Sequence, residues 1–269
     1  MPDVIVFGLS GPSCSGKTTI ALQLARLFPR AIVVHQDSFY RPDSQIPLHP
    51  TARIQDWDSP ESFDMQAMVR AIGTAREALT RADGAELHGV DGADQTASQW
   101  ANPSADVDSL IPPAAIASIR NSALRSLRVD APHDIPFAVV VVDGILLFYD
   151  GADDGVSPGT ACDVGALVYA QRDTLRRRRE ARTAYVTKEG IWVDPPGYFD
   201  AVVWPNFTRY HRSLISAVPH VADGPAAAGS APQRWAGKVA VCSSDDPAEA
   251  TLQACVESIV CEWHSRQKV

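Results

Sequence analysis

Apolar and polar residues recur along this chain with two different periods, which predict strands separated by helices. Short runs rich in β-branched residues predict strands over 4–10, 31–37, 137–148, 163–170 and 238–244. Apolar residues at helical spacing predict helices over 18–28, 59–79, 198–218 and 246–267, and the arginine-rich run 172–182 is interpreted as a further helix. The helix over 59–79 should begin at Ser59 with Pro60 in its first turn, and the helix over 198–218 should be disturbed at Pro205. Because strands alternate with helices, we expect an α/β fold of three layers, a central parallel sheet with helices on both faces.

The stretch 83–134 departs from this pattern. It is rich in Ala, Asp, Ser, Gly and Pro, and only 114–127 has the periodicity of a helix. Such a composition buries little apolar surface and is typical of loops. We therefore interpret 83–134 as a partly disordered insertion that carries one helix, within a single domain over 1–269.

Composition narrows the functional classes. The net charge is −8, so no basic surface indicates a nucleic-acid partner. The five cysteines are scattered without CxxC spacing, which disfavours a disulfide framework or a zinc site. Because a strand is predicted from residue 4 onward, we expect no signal peptide before it. No apolar run approaches the ~18 residues of a membrane span. We expect a cytoplasmic protein without a membrane partner, with the nucleus as the alternative; the sequence does not indicate its oligomeric state.

A phosphate-binding motif lies between the first strand and the first helix. Gly11, four residues and then Gly16-Lys17-Thr18 have the spacing of a P-loop, in the strand–loop–helix context that this motif requires. Glycines allow backbone N–H groups to surround phosphate oxygens, and the helix N-terminus favours negative charge. Lys17 can reach the outer phosphates, and the Thr18 hydroxyl can bind Mg²⁺. The motif predicts that a nucleoside triphosphate is bound by Gly11, Ser13, Ser15, Gly16, Lys17, Thr18 and Thr19, and it does not distinguish ATP from GTP as the donor.

Two acids follow strands at the predicted carboxyl edge of the sheet, where ligands bind in such folds. Asp37 ends the predicted second strand and can accept a proton from an acceptor hydroxyl or orient that hydroxyl. Asp143 follows the apolar run VVVV and, together with Thr18 and Asp37, is a candidate Mg²⁺ ligand. The alternative for each acid is a capping role in a turn.

An arginine-rich helix is predicted over 172–182. Arg178 and Arg182 are four residues apart on one face, with Arg179 beside them, whereas Arg176 or Arg177 should face away. Next to a P-loop, the cluster is expected to form part of a lid over 172–197 that neutralises the charge of the transferred phosphoryl group. The alternative is a solvated basic helix face.

These features favour a kinase of small molecules among the P-loop proteins. An Asn-Lys-x-Asp motif, which GTPases use to read the base, is missing from the sequence. An acid after the second strand and a basic lid are instead the combination that small-molecule kinases use.

The motifs also resemble a known family, the nicotinamide riboside kinases, and especially its fungal members. The matching segments are, in chain order, GLSGPSCSGKTT, QDSFYRP, QDWDSPESFD, VVVVDGILLF, RRRREAR and GIWVDPPGYFDAVVWP. The resemblance covers about residues 4–79, 137–218 and, more faintly, 238–263. It implies the fold of a uridine-kinase-like P-loop kinase domain with an arginine-bearing lid.

The resemblance implies an activity and a set of site residues. The expected reaction is ATP-dependent phosphorylation of the 5′-hydroxyl of nicotinamide riboside, with Mg²⁺ as cofactor, to give the mononucleotide used in NAD synthesis. Nicotinic acid riboside is expected as a second substrate. The implied catalytic residues are Asp37, Lys17 and Arg178, and the implied lid residues on ATP are Arg178 and Arg182. The implied substrate-binding residues are Asp37, Phe39, Tyr40, Trp57, Asp58, Arg179 and Tyr185.

Within that set, the family match gives Trp57 and Tyr185 the role of an aromatic sandwich around the nicotinamide ring, by stacking and cation–π attraction. Asp58 would hold ribose hydroxyls. The turn 242–247 would lie near the adenine. The sequence departs from many relatives in having Asp143 in place of Glu and Trp57 in place of Tyr.

Alternatives remain at this stage. Trp57 could be a core aromatic, Asp58 a helix cap and Tyr185 a surface aromatic. A uridine/cytidine kinase shares the P-loop, DSFY and the lid. A nucleotide-binding regulatory module without catalysis is the alternative of a different class.

Overall fold

A parallel sheet forms the centre of the computed structural model, which describes residues 3–81, 110–151, 156–182, 184–216, 218, 235 and 237–268. The strands in these residues are β1 (Asp3–Ser10), β2 (Ala31–His35), β3 (Phe137–Gly144), β4 (Val164–Tyr169), β5 (Tyr185–Val186), β6 (Ile191–Trp192) and β7 (Val239–Ser243). Five of them form the sheet in the order β2–β3–β1–β4–β7, and every neighbouring pair is parallel. The short strands β5 and β6 form a separate antiparallel hairpin.

Helices cover both faces of this sheet. Their bounds are α1 (Lys17–Leu27), α2 (Met65–Arg81), α3 (Pro113–Leu127), α4 (Arg172–Glu180), α5 (Trp204–Tyr210), α6 (Arg212–Ile215) and α7 (Ala248–Arg266). On β1, Ile5 and Phe7 pack into the core shared with α1, α3 and α7, whereas Val4 and Val6 pack against α2. This alternation is the two-residue period of a strand buried on both faces. The predicted three-layer α/β fold is confirmed.

The central position of β3 follows from its composition. All eight of its residues, FAVVVVDG, are buried, and the strand lies between β1 and β2. The predicted strand over 137–148 is four residues too long because the chain leaves the sheet at Gly144. Residues 145–148 are equally buried but are held by the Gln36 side chain, which accepts a hydrogen bond from the Leu146 N–H at 2.9 Å.

The helix predicted over 59–79 begins later than expected. Pro60–Ser62 forms a separate 3-10 turn, and α2 begins at Met65. The Asp64 carboxylate accepts a hydrogen bond from the Ala67 N–H at 2.8 Å, which makes Asp64 the cap that Ser59 was expected to be.

The segment predicted as one helix over 198–218 is divided into three. A π-helical turn at Phe199–Val203 leads into α5, and α6 follows after His211. Pro205 lies in the first turn of α5, where its missing N–H costs little. The helix is therefore irregular before the proline, at Phe199–Val203, and interrupted after it, at His211.

Part of the predicted insertion is packed into the core. Helix α3 begins one residue before the expected 114–127, and its Ile119 and Leu124 are buried with residues of α7. The expectation of disorder over 83–109 lies outside the described residues, and the domain limits stay predictions.

Two further expectations concern thiols and membranes. All five cysteines are free thiols, as their spacing predicts. In the part of the chain that the structure describes, no helix combines the length and the apolar character needed to cross a membrane.

Candidate active site

The P-loop connects β1 to α1 and depends on two glycines. Gly16 has a φ of 89° and directly precedes the first residue of α1. Gly11 has a φ of 147°, and a Cβ built there would lie 2.0 Å from the carbonyl oxygen of Val168. Any side chain at Gly11 would therefore push the loop away from β4. Within the loop, Lys17 is mostly buried, and its Nζ donates a hydrogen bond to the carbonyl oxygen of Pro12 at 3.0 Å.

Strand register places Asp143, near the end of β3, beside this loop. Asp143 is paired with His35 across β2 and β3 and with Leu9 across β1 and β3. Its Oδ2 accepts a hydrogen bond from the Thr18 hydroxyl at 2.8 Å and lies 3.1 Å from His35 Nδ1. Its Oδ1 is buried and has no hydrogen-bond partner.

The two predicted acids have opposite electrostatic environments. Burial alone would raise the pKa of Asp143, but the hydrogen bond from His35 and the positive charge of Lys17 outweigh it, and the pKa is lowered. The pKa of Asp37 is raised, first by burial and then by the negative charge of Asp143, with Lys17 opposing the shift. The Asp143 carboxylate therefore stays ionised to lower pH, and the Asp37 carboxylate accepts a proton more readily.

One cavity of about 370 Å³ collects most of the predicted site residues. Those on its wall are Ser13, Gly16, Lys17, Thr18, Thr19, Asp37, Tyr40, Trp57, Asp58, Asp143, Arg179, Arg182 and Tyr185. Those not on its wall are Gly11, Ser15, Phe39 and Arg178. A wider depression of about 920 Å³, which includes Arg41, Tyr149 and Tyr210, contains none of the predicted site residues. The predicted site residues are therefore concentrated in the smaller cavity.

The predicted aromatic residues line this cavity from two directions. Trp57 lies in the loop between β2 and α2, with its ring centroid 5.4 Å from that of Tyr40, and its Nε1 is buried without a partner. Tyr185 begins the β5–β6 hairpin, and the guanidinium groups of Arg179 and Arg182 lie 5.1 and 5.5 Å from its ring. Both rings border the same space, so a flat ligand can contact both.

Two buried charged residues, Asp58 and Arg179, lie beside the aromatic residues. Burial raises the pKa of Asp58 to about 6, although the positive charge of Arg179 opposes the shift. Arg179 donates two hydrogen bonds to Asp194, from Nε at 2.6 Å and from Nη2 at 3.1 Å. Asp194 also accepts a hydrogen bond from the Trp192 Nε1–H at 2.8 Å. Asp194 thus fixes both the guanidinium and the indole at the cavity wall.

The arginines of α4 have separate partners. Arg178 does not line the cavity; its guanidinium donates to both Oγ and the carbonyl oxygen of Ser244 at 2.9 Å and reaches the Cys14 carbonyl oxygen at 3.5 Å. It therefore joins the lid helix to the P-loop and to the turn 242–247. Arg176 pairs with Asp200 on the far side, which agrees with the expectation that it faces away.

Comparison with known proteins identifies the family. A nicotinamide riboside kinase of Schizosaccharomyces pombe is 33% identical over 211 residues, which make up 78% of this chain and 80% of the relative. The nicotinamide riboside kinase of Saccharomyces cerevisiae is 33% identical over 212 residues, 79% of each chain. This chain belongs to the nicotinamide riboside kinase family.

Mammalian members of the nicotinamide riboside kinase family are less similar. Nicotinamide riboside kinase 1 of Homo sapiens is 25% identical over 210 residues, 78% of this chain and 77% of the relative. No family model matches the chain. A solved structure described as a fructose transport system kinase, from Silicibacter sp. TM1040, matches 68% of this chain and 73% of its own chain at 18% identity, with a TM-score of 0.38.

One residue that the family resemblance implies for substrate binding is placed elsewhere. Phe39 is half-buried and packs against the core on the α2 face of the sheet. Residues two positions apart in a 3-10 turn point in different directions. In the turn Gln36–Phe39, Asp37 consequently borders the cavity and Phe39 does not.

Other residues at the site were missed by sequence reasoning. Trp192 and Thr187 line the cavity from the β5–β6 hairpin, and the Trp192 ring lies 5.6 Å from that of Trp57. The family-specific segment GIWVDPPGYFDAVVWP contains Trp192 and Asp194, and this signal could have drawn attention to both. His35 was missed because its contact with Asp143 depends on strand register.

The residues present fit a magnesium ion. The buried Asp143 Oδ1 has no partner, and the Thr18 hydroxyl lies beside the same carboxylate. Hard carboxylate and hydroxyl oxygens are ligands that Mg²⁺ accepts. In the described ranges, no group of three or more His, Cys, Asp or Glu is arranged to hold a metal.

Proposed function

We propose that this chain is an ATP-dependent kinase that phosphorylates the 5′-hydroxyl of nicotinamide riboside, with nicotinic acid riboside as a second substrate. The observation that carries the proposal is the single cavity lined by Lys17, Asp37, Asp143, Trp57 and Tyr185, in a chain 33% identical to fungal nicotinamide riboside kinases. This cavity would place a loop suited to a triphosphate next to a space suited to a flat ring.

On the donor side, the P-loop would hold the phosphates of ATP. Lys17 lies in the cavity wall, from which its ammonium group can neutralise charge on the β- and γ-phosphates. Thr18 and Asp143 would hold Mg²⁺, which supplies further neutralisation of the phosphate charge when it is bound. Arg182 borders the same cavity and can contact the transferred group from the lid.

On the acceptor side, Asp37 would receive the proton of the 5′-hydroxyl. Its raised pKa makes it a stronger base than an ordinary aspartate, and its place beside Lys17 puts it next to the phosphate cradle. Proton acceptance leaves the hydroxyl oxygen free to attack the γ-phosphorus in line with the leaving diphosphate.

The riboside would occupy the part of the cavity under the hairpin. Trp57 and Tyr185 border this part of the cavity, where aromatic quadrupoles would attract a pyridinium cation. Asp58 and Arg179 lie beside these rings and can bind the ribose hydroxyls. Asp58 also adds negative charge close to the cationic base.

A reaction panel tests this proposal. Purified protein with Mg²⁺ and ATP is given nicotinamide riboside, nicotinic acid riboside, uridine or cytidine, and the products are identified by mass spectrometry. We expect nicotinamide mononucleotide in equal amount to the ADP formed. If the protein phosphorylates uridine but not nicotinamide riboside, it is instead a pyrimidine nucleoside kinase. ATP binding without phosphorylation of any nucleoside would indicate a regulatory module.

We also propose that the protein acts in the cytoplasm on small molecules alone. Five free thiols fit a reducing compartment. A net charge of −8 disfavours binding to nucleic acid. Fractionation of cells that express a tagged chain tests the location.

A further inference from the structure

His35 has no role in the reaction as described above, yet it contacts the candidate metal ligand. It is the last residue of β2 and is the register partner of Asp143 on β3. Its Nδ1 lies 3.1 Å from Asp143 Oδ2, and the two side chains are 19% and 7% exposed. The contact is therefore largely shielded from water.

The chemistry of the two groups fixes the direction of this hydrogen bond. An ionised carboxylate has no hydrogen to donate, so His35 Nδ1 carries the hydrogen and donates it to Oδ2. The Thr18 hydroxyl donates to the same oxygen at 2.8 Å. Both donors thus bind Oδ2, while the buried Oδ1 has no partner. This asymmetry fixes the rotation of the carboxylate about its Cβ–Cγ bond.

We propose that His35 is a positioning residue for the magnesium of the phosphoryl donor, which holds Oδ2 of Asp143 so that Oδ1 is presented to the metal. The proposal rests on the proposed use of a magnesium nucleotide, but it does not depend on which nucleoside is phosphorylated. Partners that orient a metal-binding carboxylate typically change metal affinity by about 10- to 100-fold.

The test compares ATP binding with and without Mg²⁺. ATP affinity is measured by calorimetry in excess Mg²⁺ and in EDTA, for the wild type and for His35→Ala, His35→Leu and His35→Asn. Alanine and leucine remove the donor, and leucine retains bulk if alanine prevents folding. Asparagine carries an N–H donor at a similar distance from the backbone as His Nδ1. His133→Ala, at an exposed histidine whose side chain is 80% accessible, is the matched control.

We expect the donor-free variants to lose about 10-fold or more of the Mg²⁺-dependent gain in ATP affinity. Their affinity in EDTA should equal that of the wild type. His35→Asn should restore the gain to within about threefold of the wild type, since the donated hydrogen bond is what matters, and His133→Ala should have no effect.

Three results would overturn the proposal. The first is a Mg²⁺-dependent gain in His35→Leu equal to that of the wild type. The second is an equal loss in His35→Asn, which would mean that the shape of the ring matters and the donated hydrogen does not. The third is wild-type ATP affinity that does not change with Mg²⁺. A protein that fails to phosphorylate nicotinamide riboside leaves this binding experiment fully interpretable, so the two failures are distinguishable.

Discussion

At the scale of single residues, the site holds three aspartates in different environments. Asp143 accepts hydrogen bonds from Thr18 and His35, and its pKa is lowered. A carboxylate that stays ionised suits the proposed role of a metal ligand. For Asp37 and Asp58, burial outweighs the nearby positive charges, and the pKa of each is raised. The sequence contains three similar carboxylates, and their surroundings divide the roles among them.

The role of Asp37 as proton acceptor predicts a large loss of rate on substitution. Asp37→Asn removes the base and retains the size, so we expect turnover of nicotinamide riboside to fall by about two decades or more. The affinity for ATP should not fall, because the P-loop is unchanged. Initial rates and calorimetry measure the two quantities, with the exposed Asp130→Asn as the control.

The same role predicts a pH dependence. The reaction needs the ionised form of Asp37, so kcat/KM should rise as the pH rises through a pKa that lies above the ordinary aspartate range. A rate of Asp37→Asn above a tenth of the wild type, or a wild-type profile that is flat across the acid range, would exclude Asp37 as the base.

Asp58 provides a prediction about stability. Its pKa rises from 3.8 to about 6 on folding, so between these values the native state binds more protons than the unfolded chain and stability falls as the pH rises. A shift of this size corresponds to about 3 kcal/mol. Asp58→Asn should therefore increase the free energy of unfolding at pH 7 by up to about 3 kcal/mol and give no gain near pH 3.8.

Denaturant titrations at the two pH values measure this effect, alongside kcat/KM for nicotinamide riboside. We expect the more stable Asp58→Asn variant to lose at least about tenfold in kcat/KM, since a buried ligand for the riboside is removed. A stability gain that is equal at both pH values would show that the charge of Asp58 is not its cause.

At the scale of elements, the arginines of helix α4 contact three different parts of the molecule. Arg179 faces the cavity, Arg176 pairs with Asp200, and Arg178 joins the P-loop to the turn 242–247. The run of four arginines predicted that Arg176 or Arg177 faces away, but not that Arg178 does not line the cavity, because the direction of each side chain depends on the rotation of the helix over the sheet. Arg178 consequently contacts the frame of the ATP site and does not line the cavity.

This division predicts different effects for adjacent arginines. Arg178→Ala removes hydrogen bonds to Ser244 and Cys14, and we expect the KM for ATP to rise about tenfold, in line with charge-assisted bonds of about 1.5–3 kcal/mol. Arg177→Ala is the matched control, because within the described residues the hydrogen bond from Arg177 goes to the Asp173 carbonyl oxygen of its own helix. Steady-state kinetics at varied ATP compare the two variants. Equal KM values for both would contradict the assignment.

The ends of elements were the hardest features to predict. The signals at Ser59 and Pro60 are those of a helix start, but they begin a 3-10 turn, and the helix itself is capped by Asp64. Strand β3 ends at Gly144 although apolar residues continue to Phe148. Apolar pattern reports burial, and these buried residues lie outside the regular element because side-chain hydrogen bonds hold them there.

At the scale of the whole molecule, the topology accounts for the site. Parallel strands end at one edge, so the sequence alone predicted that Lys17, Asp37 and Asp143 would meet there, and all three border one cavity. The hairpin is different: Trp192 reaches Trp57 only through the packing of distant segments. His35 likewise depends on strand register. Periodicity and residue spacing do not indicate such contacts, which is why they were missed, although the family-specific segment around Trp192 pointed to that residue.

The central claim is that one cavity aligns a riboside hydroxyl with a metal-bound triphosphate between Lys17 and Asp37. The most direct measurement is a crystal structure with nicotinamide riboside, Mg²⁺ and a non-hydrolysable ATP analogue. The account predicts the 5′-oxygen within about 2.6–3.2 Å of the Asp37 carboxylate and in line with the γ-phosphorus. It also predicts the nicotinamide ring between Trp57 and Tyr185. A riboside bound away from Asp37, or triphosphate bound away from Lys17, would contradict it.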